Sequence, residues 1–185
     1  MTDVGGLRDV DFKVIFRRLI YLTYDAFSSC RIQLEDGKIN EELVVLNITV
    51  NQFADYCLRY LTKRGLPDPE KISPYAQLTA ELEMLVDTVL LITKRIPHMS
   101  KAQRQQLVRV HEKVEKFVKD FYTHIFDFDI KTLQASYVLT RNATKELRNV
   151  TNPAADYYLQ ILSTLRNSSS HILTQANLML GYNDA

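Results

Sequence analysis

The sequence predicts an all-α protein of six antiparallel helices, and three observations carry that prediction. Apolar residues recur at three- and four-residue intervals in six separate segments, the spacing that lays one stripe along a helix packed in a bundle. Only five glycines and five prolines occur in 185 residues, too few and too scattered for a β-rich chain with many tight turns. Apolar residues make up 46% of the chain, enough to bury a core at this size.

The first helix runs from Asp11 to about Asp36, with Phe12, Ile15, Leu19, Leu22, Ala26 and Cys30 on one face, and Gly37 is its natural stop. The second opens at Asn40 as N-cap, followed by Glu41 and Glu42 where the helix dipole favours acids. It carries Leu43, Leu46, Val50, Phe53, Cys57 and Leu61 and ends before Gly65 and Pro67. Ser73 as N-cap and Pro74 at the first helical position open the third, whose stripe is Tyr75, Leu78, Leu82, Leu85, Val89, Ile92 and Ile96, closed by Pro97.

Ser100 with Gln103 forms a capping box for the fourth helix, striped by Leu107, Val110, Val114, Phe117, Phe121, His124 and Phe128. Asp129 ends it and caps the fifth, about Ile130 to Asn149, where Leu133, Tyr137 and Leu147 are interrupted by Thr140 and Thr144. The sixth starts at Asn152-Pro153 and continues through Tyr158, Leu162, Leu165, Ser169, Ile172, Ala176 and Met179 to Gly181. Short connections force neighbouring helices to run antiparallel.

Twenty-three Lys and Arg against twenty-two Asp and Glu leave a charge near +1, without the cationic excess that accompanies nucleic-acid binding. Too few glycines are present for a loop that cradles nucleotide phosphates, so no nucleotide or organic cofactor is expected. Neither an export signal nor a membrane-length apolar run occurs, which makes a cytoplasmic chain the expectation, with Cys30 and Cys57 as buried free thiols. No Glu-x-x-His pair, HExxH, CxxC or GxSxG is present, and an enzyme is not expected.

One constellation carries chemistry. Glu83 and Asp87, four residues apart on the third helix, point from one side; with Leu82 and Leu85 in the seam, both face outward. Their mutual repulsion is one that a divalent cation would remove and that bulk water also screens, so a metal site and a solvated acidic face both fit.

The segment Tyr75 to Ile96, YAQLTAELEMLVDTVLLITKRI, resembles the last helix of a repeat of the PhoU family, the phosphate uptake regulators, whose signature there is Leu-Glu-x-x-x-Asp. Upstream, Val50-Asn51-Gln52-Phe53 followed by Leu58-Arg59 is similar to the second helix of archaeal-type members. The resemblance implies two tandem three-helix bundles, residues 1–98 and 99–185, without the DNA-binding module that some archaeal relatives carry ahead of the helices. It further implies a regulator that acts by contact with a phosphate transporter ATPase or a sensor kinase, with Glu83 and Asp87 as ligands of a divalent or iron-type metal. The expected assembly is a homodimer, with no membrane insertion. Matching positions in the second repeat are Arg166 and Ser170, which departs from the family's acidic pattern, and Asn47 and Asn51 stand where relatives often place acids.

An offset of 83 aligns Tyr75 with Tyr158, Leu78 with Ile161, Leu82 with Leu165 and Val89 with Ile172, which suggests a duplication; any two amphipathic helices share such a stripe. A dimerisation module without metal is the alternative, with Leu90 and Leu91, off the main seam, as contacts. His111 and Glu115, four apart, could touch one metal but read as surface decoration, and the cations of the fourth helix read as a solvated face of i,i+4 ion pairs. His124 reads as a core imidazole, and Ser168-Ser169-Ser170 as small residues that admit a neighbouring helix.

Overall fold

The computed structural model describes residues 11–126, 130–148, 152 and 154–181, and the side chains at 11–120, 131, 135, 138, 140–148, 152 and 154–168. Among the described residues there are six α-helices and no strand: α1 (Phe12–Asp36), α2 (Glu42–Lys63), α3 (Ile72–Thr93), α4 (Lys101–Phe126), α5 (Ile130–Arg148) and α6 (Ala155–Gly181). Asp129 and Pro153, read as helix-start signals, lie outside the described residues. So do the side chains of Phe121, His124, Phe128, Leu133, Tyr137, Ser169, Ser170, Ile172, Ala176 and Met179.

Local signals set the helix ends. Asp11 accepts from the Lys13 N–H at 3.0 Å and starts α1, while Gly37 stops it in the left-handed region, φ 71°, donating its N–H to the Gln33 carbonyl at 2.8 Å. Arg104 of α4 caps the same end from outside, donating to the carbonyls of Leu34 at 3.2 Å and Glu35 at 3.4 Å. A Cβ on Gly37 would sit 2.0 Å from the Arg104 Nη1. Gly37→Ala is therefore expected to combine left-handed strain with loss of that cap, lowering the unfolding free energy by about 2 kcal/mol. Gly65, with φ 70° but nothing nearer than Ile72 at 3.6 Å, isolates the strain, and Gly65→Ala should cost less in the same urea titration.

The Asn40 side chain accepts from the Glu42 N–H at 3.2 Å at the start of α2. At α3 the structure corrects the sequence. Asp68, not Ser73, makes the cap, accepting from the Glu70 N–H at 3.3 Å, and a single 3₁₀ turn over Pro69–Lys71 leads directly into Ile72. Pro74 then falls within the first turn, where its missing N–H has no intrahelical partner to lose. The capping box of α4 is complete: Ser100 Oγ accepts from the Gln103 N–H at 3.3 Å and Gln103 Oε1 from the Ser100 N–H at 2.9 Å. Helix α5 runs unbroken past its threonines, and the Thr144 hydroxyl donates to the Thr140 carbonyl at 2.8 Å. Asn152 accepts from the Ala154 N–H at 3.0 Å and donates to the Gln103 carbonyl at 3.2 Å, tying the start of α6 to the first turn of α4.

Helix α1 packs against α2, α3 and α4, α5 against α4 and α6, and α6 also against α3. Three neighbours explain why α1 buries Phe16, Ile20, Phe27 and Leu34 besides the predicted stripe. At one end Tyr75 sets its ring edge-on to Phe12 at 5.1 Å and Phe16 at 5.0 Å. Both cysteines are free and buried, and burial raises the Cys30 thiol and pushes the Cys57 thiol up to about 12. Among the described residues, no helix is long and apolar enough to cross a membrane.

Candidate functional site

The predicted acidic pair lies on the edge of α3 that borders α2. Asp87 is exposed, whereas Glu83 is half-buried, and desolvation raises its carboxyl above the ordinary value, with Asp87 and then Asp55 of α2 adding to the shift. Glu83 is thus a marginal residue between two helices rather than a fully outward one. Among the described residues, no Lys or Arg pairs with Glu83 or Asp87; Asp55 pairs with Arg59 at 3.4 Å, both largely in solvent.

Helix α2 contributes more than Asp55. Asn47, Asn51 and Asp55 recur every fourth residue, so they follow one flank of α2. The antiparallel register that brings Asp55 beside Glu83 sets Asn51 at the level of Asp87, one turn on. The amide oxygens of Asn47 and Asn51 are buried and have no hydrogen-bond partner among the described residues. Such orphaned acceptors cost about 1–3 kcal/mol each unless something donates to them or coordinates them. Only oxygen donors meet along this edge, which suits hard cations such as Mg²⁺, Mn²⁺ or Ca²⁺. Among the described residues, however, no three His, Cys, Asp or Glu side chains converge as a ligand set.

No family model, curated protein or solved structure matches the chain.

A second polar cluster, between α1, α4 and α6, overturns the reading of His111 and Glu115 as surface residues. His111 is fully buried and Glu115 is 8% exposed. The Phe27 carbonyl can only accept, so His111 Nε2 holds the proton and donates to it at 2.7 Å, while the Tyr158 hydroxyl donates to Nδ1 at 2.7 Å. Burial is the main cause that lowers the imidazole to about 4; the Phe27 bond and Glu115 oppose the shift. One turn away, Glu115 accepts from Ser28 and from Arg31 Nε, each at 2.8 Å, and Arg31 also reaches Glu35 at 3.0 Å. Every polar group of His111 is satisfied, which marks this as a structural bolt with no open position for a substrate. The signal that could have found it is the run Leu107, His111, Val114, Val118 at 4,3,4 spacing, which puts the histidine inside a second apolar stripe of α4.

Two cations of α4 likewise bond across to neighbouring helices instead of to an acid at i,i+4 spacing. Lys113 pairs with Glu146 of α5, and Arg104 caps α1. Ser168 is buried against α3, where its hydroxyl bonds Glu81, in keeping with a small residue at a close helix approach. Leu90 packs against the core, which removes it from the docking contacts, while Leu91 is 40% exposed.

Proposed function

We propose that the chain is a non-enzymatic, PhoU-like regulator of phosphate uptake that works in the cytoplasm by contact with a transporter ATPase or sensor kinase. The observation that carries this is the α2/α3 edge, where the Glu83 and Asp87 doublet of the PhoU-like segment is joined by Asp55 and two orphaned amide oxygens. Glu83, Asp87 and the Asn51 oxygen would hold a hard divalent cation there, with water completing the shell. The bound ion would cancel the carboxylate repulsion and fix α2 to α3. In this proposal α1 to α3 and α4 to α6 are tandem three-helix repeats, joined where α1 meets α4 and α3 meets α6.

Affinity purification of the tagged chain from its native cell tests the regulatory part. A phosphate transporter ATPase or its sensor kinase should co-purify. Recovery of an unrelated complex in its place would overturn the proposal.

The dimerisation reading is favoured by a different observation. Val44, Val45 and Ile48 on the outer side of α2 are exposed, as is Leu91 of α3, an apolar concentration on one side of the chain. A concentration-dependent dimer in sedimentation, indifferent to chelator and abolished by Ile48→Glu/Leu91→Glu, is the outcome that reading requires.

A further inference from the structure

The groove between α5 and α6 carries the opposite charge to the α2/α3 edge. It is a cleft of about 470 Å³ whose lining includes Arg141, Lys145 and Arg148 of α5 and Arg166 of α6. Arg166 is the residue that the offset of 83 places at the position of Glu83. Among the described residues that line it there is no Asp or Glu. Of the acids of the two helices, Glu146 pairs with Lys113 of α4, and Asp156 is exposed one turn before Leu159 on α6.

Spacing selects the ligand class. Arg141, Lys145 and Arg148 follow each other at four and three residues, so they share one face of α5 over about 10 Å of helix at 1.5 Å per residue. Arg166 lines the cleft from the antiparallel partner, and Ser163 adds a hydroxyl to the lining. A single orthophosphate reaches only part of such a row. A linear anion with a charge every few ångströms engages the whole of it, and guanidinium groups bind phosphate oxygens in pairs. The buried Leu162 leaves the floor apolar.

We infer that the α5/α6 cleft is a binding site for a linear phosphate-chain anion, a short polyphosphate. This does not depend on the metal edge, and chelator keeps the two apart. The test is calorimetric titration of the full chain with tripolyphosphate and with orthophosphate, in EDTA and at about physiological salt, where non-specific attraction is screened. Saturable binding of tripolyphosphate, at least about ten-fold tighter than orthophosphate, is expected, and Arg141→Gln/Arg148→Gln should weaken it by about ten-fold or more. Lys116→Gln/Lys119→Gln, which neutralises exposed cations of α4 outside the cleft, should leave it unchanged. Arg166→Gln supplies a second reading of the cleft if the first variant melts early. Four results would overturn the assignment: no binding of tripolyphosphate, equal affinity for orthophosphate, indifference to both cleft variants, or tighter binding of an oligoglutamate peptide or an oligonucleotide of the same charge.

Discussion

His111→Ala is expected to lower the unfolding free energy by about 4 kcal/mol, combining a cavity in a packed core with two buried groups that each lose a hydrogen-bond partner. Those groups are the Phe27 carbonyl and the Tyr158 hydroxyl, each 2.7 Å from the ring. The double variant His111→Leu/Tyr158→Phe removes the hydroxyl and refills most of the volume, so it should be more stable than His111→Ala despite carrying one more substitution. The same ring makes stability depend on pH. Its folded value of about 4 lies below the unfolded 6.5, so the unfolded chain binds the proton first. The contribution is fully present above the unfolded value and is lost as pH falls from there toward the folded one. Between pH 7 and pH 5, above the main carboxylate range, the loss should reach about 2 kcal/mol in urea titrations. In His111→Leu it should vanish; an equal loss in that variant would assign the effect elsewhere.

Glu115→Ala should cost about 3 kcal/mol, because the carboxylate it removes is shared by Ser28 and Arg31 at the α1/α4 contact. The Arg31 side chain is 31% exposed and keeps Glu35 at 3.0 Å, which limits the damage to less than that of a sealed ion pair. Glu115→Gln keeps an acceptor for Ser28 and should cost about half as much. A double-mutant cycle with Arg31→Gln, read by urea midpoint, separates the ion pair from the hydroxyl; a coupling energy near zero would show that Arg31 gains nothing from Glu115.

The helices were legible because their end signals are short-range. Gly37, Asn40 and the Ser100/Gln103 box act within four residues of where they stand, and the structure uses each as written. The start of α3 was misplaced because two such signals compete, Asp68-Pro69 and Ser73-Pro74, and the earlier one wins by leading straight from a 3₁₀ turn into the helix. The candidate site was legible only in part. Spacing alone pairs Glu83 with Asp87 on one helix, but Asp55, Asn51 and Asn47 join them through the register of α2 against α3, which no sequence interval encodes. The basic cleft was hidden for the same reason, since Arg166 meets Arg141 only across two helices. His111 and Glu115 were misread because α4 buries two adjacent stripes, and a charged pair on the second resembles a surface pair until its neighbours are known.

The most direct test of the α2/α3 edge is calorimetric titration of the full chain with Mn²⁺, alongside Mg²⁺, Ca²⁺, Zn²⁺ and Fe²⁺. Saturable binding that Glu83→Ala/Asp87→Ala abolishes, and that Asn51→Leu weakens while the helical signal is unchanged, is the expected result. Absence of binding by every one of these ions, or binding that survives the loss of both carboxylates, would contradict a metal site at this edge.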